Sequence, residues 1–195
     1  MSLDLVITGV GGQGNVLASR VLAKAAMEAG LPVRTSEIIG MAQREGVVMS
    51  QVRIGPPLWG ALIPDGKADV LLGFEPAEAV RGLPKLKAHG VAVVNTAPVL
   101  PVTVALGLSP YDAAVYLHYL EKNIALLYLV DAHKLALQAG NPRTLNAVLL
   151  GALAALDVLP FAAGHFLHFL LESIPENYRE VNRLAFELGR ESIKE

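Results

Sequence analysis

Two periods of apolar positions run through the chain, one suited to buried strands and one to helices. Leu3, Leu5, Val6 and Ile7 form a short apolar run that leads into a glycine cluster, and residues 16–29 then carry a strong helix signal. Gly30, with Pro32 just beyond it, stops that helix, and Val33 opens a second strand. Residues 47–54 are rich in β-branched side chains and end at Gly55-Pro56-Pro57, as a strand meeting a turn would. Residues 59–63 are expected to return as its antiparallel partner. Continuous apolar runs at 69–74, 91–95 and 125–130 predict further buried strands. The helix starts between them are marked by Pro76 at a first helical position, by Ser109 as N-cap before Pro110, and by Asp131. The Ser109 helix should run to about Lys122.

Residues 144–171, opened by Asn141-Pro142, form the longest apolar stretch, but Asn146, Asp157, Pro160, His165 and His168 interrupt it. A membrane span needs about 20 predominantly apolar residues, so the pattern predicts two short buried helices broken near residues 157–160. The last helix, residues 176–189, sets Tyr178, Val181, Leu184, Ala185 and Leu188 on one face and charges opposite, a surface helix packed on a core. Continuous apolar strands alternating with helices predict an α/β fold. The expectation is a three-layer α/β/α sandwich with a mixed, mostly parallel sheet, a Rossmann-like glycine-rich first β–α turn and C-terminal helices, all in one domain over residues 1–195.

Composition narrows the function. Apolar residues make up 53% of the chain and charged ones 17%, against about 25% charged in typical soluble domains. The core is large, or apolar surface is held for a partner. A formal charge of −2 without basic clusters argues against nucleic acid and against an anionic membrane surface. With no cysteine, the chain itself offers no disulfide, no thiolate nucleophile and no ligands for a cysteine-held cluster. No secretory leader pattern precedes the first strand, so a cytoplasmic location is expected.

The strongest chemical signal is Gly9-Val10-Gly11-Gly12-Gln13-Gly14, between strand and helix. Glycines there let the backbone turn tightly, and the first turn of the helix aims unpaired N–H groups and a positive dipole end at any anion in the mouth. Gly11 and Gly12 are expected to leave two N–H groups unshielded, and Gln13 to add a side-chain amide. Packing alone would also call for glycine in a tight β–α turn. Gly9, Gly11 and Gly14 match Gly-x-Gly-x-x-Gly, and Glu37, 23 residues past Gly14, is spaced to meet a ribose hydroxyl, so a stand-alone NAD(P)-binding reductase or module is one reading. A pure scaffold is another. Either Arg44 or Arg53, flanking the third strand, could clamp a phosphate; the plainer alternative is an ion pair with Glu45 or Glu37.

His89, His118, His133, His165 and His168 fall in predicted helices or their flanks, away from strand mouths, and read as structural or exposed. His165 and His168 share a helix face, but only distant Glu172 offers a third metal ligand. No hydrolase, Walker or zinc-protease motif occurs, so no self-sufficient active site is visible.

The glycine turn, together with Ser36-Glu37 and Gly40-Met41-Ala42-Gln43-Arg44, resembles the gamma-type subunit of 2-oxoacid:ferredoxin oxidoreductases. Ser50, Val52-Arg53, Ile63-Pro64, Ala68-Asp69, Gly73-Phe74-Glu75, Asn95, Asn182, Ala185-Phe186 and Gly189 extend the likeness over essentially the whole chain. It is nearest to the beta subunit of the indolepyruvate type. Glu45, Val47 and Gln51 depart from the family pattern. The resemblance implies an accessory subunit, inactive alone, beside a larger subunit that holds thiamine diphosphate and [4Fe-4S] clusters. The assembled enzyme would decarboxylate a 2-oxoacid, pass electrons to ferredoxin and hand the acyl group to coenzyme A. It also implies coenzyme A handling by Gly11, Gly12, Gln13, Gly14, Ser36, Glu37, Met41, Gln43, Arg44 and Arg53, with no metal site in this chain. A homodimer is open for the isolated chain.

Overall fold

The computed structural model describes residues 2–41, 46–58 and 60–193. In chain order the elements are β1 (Leu3–Val10), α1 (Asn15–Glu28), β2 (Val33–Ile39), β3 (Val47–Ile54), β4 (Ala68–Gly73), α2 (Pro76–Gly82), β5 (Leu86–Asn95), α3 (Val102–Ala105), α4 (Ala113–Asn123), β6 (Leu126–Val130), α5 (Ala132–Gln138), α6 (Leu145–Ala155), α7 (Ala163–Glu172) and α8 (Arg179–Glu191). One six-stranded sheet runs in the order β2-β3-β1-β4-β5-β6. β1, β4, β5 and β6 are parallel neighbours, while β3 is antiparallel to both β1 and β2.

The α/β expectation holds: helices cover both faces. Leu5 and Ile7 of β1 join Leu22, Val52, Leu72, Phe74, Leu149, Phe166 and Phe186 in the larger core. Val6, on the opposite face, meets Leu71, Ala92, Val94 and Leu120 in the smaller one. Successive strand side chains point to opposite faces, so an unbroken apolar run is what a strand buried on both sides requires.

The sheet is mixed for a different reason than the predicted hairpin. Residues 60–63 form no strand; β3 instead slots between β1 and β2, with Ile7 opposite Ser50 and Glu37 opposite Ser50 on its other side. Two nearby extended neighbours satisfy its backbone on both edges, which a short return strand at 60–63 could not do. The start of α4 also shifts. Asp112, whose carboxylate accepts the Ala114 N–H at 2.9 Å, is its N-cap, while Ser109 donates to Thr103 Oγ1 at 3.0 Å. His89 lies exposed in β5 rather than in a helix.

At the C-terminal end α6 and α7 form the two short helices read from residues 144–171, and none among the described residues is long and apolar enough to cross a membrane. The buried face of α8 is rotated from the expected one: Asn182, Ala185, Phe186 and Gly189 face inward, while Tyr178 and Leu184 are exposed. The cause is glycine. A Cβ at Gly189 would overlap the Val148 carbonyl, and one at Gly151 would overlap that of Phe186. Bare backbone on both sides lets α6 and α8 cross in contact, and that crossing fixes which face turns in.

Candidate functional site

β1 ends in the glycine turn and α1 begins at Gly14, whose left-handed backbone (φ 93°) turns the chain into the helix. A residue with a Cβ is strained there, and the Asn146 amide lies 2.8 Å from where that Cβ would sit. No side chain caps α1 and no acid occupies its first turn, so its leading N–H groups and dipole end are open to an anion. Gly11, Gly12 and Gly14, with Asn15, Val16 and Val48, line a recess of about 260 Å³ at this point.

Two expectations for the turn need correction. The Gly11 N–H is not unshielded; it donates to the Gly46 carbonyl at 2.9 Å. Of that pair only Gly12 keeps its N–H without a partner among the described residues. Nor does Gln13 offer its amide to the mouth. Its Oε1 accepts the Val10 N–H at 2.8 Å, and its Nε2 donates to the Phe74 carbonyl at 3.0 Å. The same Phe74 carbonyl accepts Asn95 Nδ2 at 3.0 Å, and Asn95 Oδ1 accepts the Ala132 N–H at 3.2 Å. The outgoing ends of β1, β4, β5 and β6 are thus stitched by two side-chain amides. In open α/β sheets ligands enter where the strand order reverses; here Gln13 closes that crevice between β1 and β4. Asn15 pins the turn from the other side, its Nδ2 donating to the Val48 carbonyl at 3.2 Å.

The remaining predicted site residues do not converge. Ser36 and Glu37 are successive residues of β2, so they point to opposite faces. Glu37 turns toward α1, where its Oε1 accepts the Ser19 hydroxyl at 3.1 Å. β3 separates β2 from β1, which sets Glu37 about 9.5 Å across the sheet from β1, twice the distance of a neighbouring strand, so the nicotinamide reading loses its acid. Arg53 sits at the opposite end of the sheet, roughly 20 Å from the glycine turn by strand rise. Its guanidinium is held by Asp4 in a bidentate pair at 2.8 and 2.9 Å and by the carbonyls of Gly60 and Leu62. With both rows of donors engaged it cannot serve a phosphate at the mouth. Met41 is fully exposed near the turn. Gln43, Arg44 and Glu45 lie outside the described residues, as does Trp59. Gln51, a departure from the family pattern, accepts the Ile63 N–H at 2.6 Å and anchors the following loop. His168 Nε2 lies 3.3 Å from Glu172, and no cluster of three potential metal ligands forms among the described residues.

A second cleft, about 420 Å³, opens beside Gly40 and Met41 and is walled by Val10, Val47, Val99 and Val104 with Glu75, Glu78 and Tyr111. Sequence reading missed its polar groups. Glu75 caps α2 by accepting the Glu78 N–H at 2.9 Å and also accepts the Tyr111 hydroxyl. Burial first, then that hydrogen bond, pushes the Tyr111 hydroxyl up and keeps it protonated. Glu78 is also raised above the ordinary 4.5, chiefly by burial, with Arg81 3.1 Å away pulling in the other direction. The signal for this pair was the Gly73-Phe74-Glu75-Pro76 helix start, which placed a carboxylate at a buried N-cap.

The fold is an α/β sandwich whose first β–α turn leaves an uncapped helix start facing a small recess. The chain belongs to the pyruvate ferredoxin/flavodoxin oxidoreductase family, which matches residues 4–192. It is 43% identical, over 98% of its length and 96% of the relative's, to indolepyruvate oxidoreductase subunit IorB of Pyrococcus horikoshii. Its structure resembles the gamma subunit of a keto/oxoacid ferredoxin oxidoreductase from Geobacter sulfurreducens, with a TM-score of 0.72, 25% identity and 98% of each chain covered. A 2-oxoglutarate:ferredoxin oxidoreductase from Magnetococcus marinus shares the fold (TM-score 0.76, 21% identity), matching 99% of this chain but 31% of that longer one.

Proposed function

We propose that this chain is the accessory, gamma-type subunit of a 2-oxoacid:ferredoxin oxidoreductase of the indolepyruvate type, its 195 residues forming one such domain. The observation that carries this reading is the end-to-end similarity to an indolepyruvate oxidoreductase subunit. Without a cysteine the chain cannot ligate a cysteine-held [4Fe-4S] cluster, so the clusters and thiamine diphosphate belong to a larger partner subunit. That partner oxidatively decarboxylates the 2-oxoacid, electrons leave to ferredoxin, and coenzyme A takes the acyl group, in the cytoplasm. This chain's part is to complete the coenzyme A path. Of the residues expected to do so, Gly12 and the uncapped start of α1 at Gly14 suit a phosphate, and Met41 borders the mouth.

Co-expression with the larger subunit tests the assignment. A stable heteromer should form, and coenzyme A-dependent reduction of ferredoxin by indolepyruvate should need both chains. A partner fully active alone, or NAD(P)H turnover by this chain alone, overturns it. In the assembled enzyme Gly12→Asp should raise KM for coenzyme A, since a carboxylate would repel the phosphate; an unchanged KM removes the turn from the path.

A further inference from the structure

Helix α6 carries one polar side chain, Asn146, in an otherwise apolar sequence. That side chain is 8% exposed, and its orientation is fixed because Oδ1 accepts the Ala147 N–H at 2.8 Å. The Nδ2 amide therefore faces away from its own backbone, against Gly14, and no acceptor among the described residues receives it. The Nδ2 is not one of the fully enclosed unpartnered polar atoms, so its N–H groups open onto the cleft that Asn146 lines.

Asn146 lines a cleft of about 340 Å³ bounded by Leu17, Asn141, Arg143, Thr144, Ile174, Tyr178 and Asn182, within the range of small-molecule sites. Its chemistry is one-sided. Leu17 belongs to the first turn of α1, and Thr144 begins α6; neither helix has a side-chain cap or an acid in its first turn. Two positive dipole ends thus approach the same space. Arg143 stands exposed at the rim with no ion-pair or hydrogen-bond partner for its guanidinium among the described residues. None of the lining residues carries a negative charge. Asn182 donates its Nδ2 to the Tyr178 carbonyl at 2.8 Å and presents its oxygen as an acceptor for a protonated ligand oxygen.

We propose that this cleft, on the α6 side of the glycine turn, is a phosphate-class anion site, with Asn146 and Arg143 as its donors. The ligand is inorganic phosphate or a phosphate of a larger molecule such as coenzyme A. The site does not depend on the subunit role above, because the isolated full chain should show it. Titration with inorganic phosphate, followed by ³¹P NMR and calorimetry, should give saturable binding. Arg143→Gln and Asn146→Leu should each weaken it by about tenfold or more. Competition by coenzyme A but not by pantetheine identifies the bound form as a coenzyme A phosphate; no competition by coenzyme A identifies a free anion. Absence of saturable phosphate binding, or unchanged binding in the exposed Arg143→Gln variant, overturns the proposal.

Discussion

Gln13 shows how a residue can be noticed for the right reason and still be given the wrong work. Its place in the turn was visible, and an amide at a helix mouth suggested a ligand. Three dimensions show both ends of that amide spent on backbone, at Val10 and Phe74. Arg53 repeats the lesson: it flanks the third strand and suggested a phosphate clamp, but strand direction carries it to the opposite end of the sheet from the turn and onto Asp4. Ser36 and Glu37 separate because a strand alternates its faces. Partners of polar groups are set by long-range pairing, which spacing does not encode. Replacing Gln13 by Leu takes the partner from the Val10 N–H, while the Phe74 carbonyl keeps Asn95, so unfolding should come about 1–2 kcal/mol more easily. Chemical denaturation measures this, and a loss below about 0.5 kcal/mol would show the stitch to be dispensable.

Elements were more legible than contacts. All six strands were placed, because apolar runs bounded by glycine, proline or a capping acid report burial directly. The failures were of partner and phase. The 59–63 return was read from local pattern, whereas β3 pairs with strands on both sides. The face of α8 was read from its apolar stripe, whereas the glycines decide the approach to α6. Gly151→Ala tests that crossing. Its methyl would meet the Phe186 backbone, and overpacking of this kind costs about 3 kcal/mol. A fall in Tm of roughly 6–12 °C is expected for a chain this long. An unchanged Tm would mean that the helices can separate freely.

For the molecule as a whole, the surplus of apolar residues divides between an extended core and a rim. Ile39 and Met41 on one side, and Leu106 and Leu108 on the other, are exposed on the two segments that wall the cleft of Glu75 and Tyr111. Clustered apolar exposure at one end of a domain marks an interaction surface, and the larger subunit is its occupant under the assembly proposed above. Glu at both Leu106 and Leu108 should leave the Tm of the free chain within about 1–2 °C. It should also abolish co-purification with the larger subunit, and full retention of the heteromer would move the contact elsewhere.

The α6–α8 crossing also has a consequence in time. α6 is apolar on nearly every side and is sealed by α8, which comes after α7 in the chain. During synthesis the sheet can pair strand by strand, but the larger core stays open along α6 until α8 has left the ribosome. An apolar helix made before its cover is stickiest in that interval, and α8 does the work of a self-supplied chaperone.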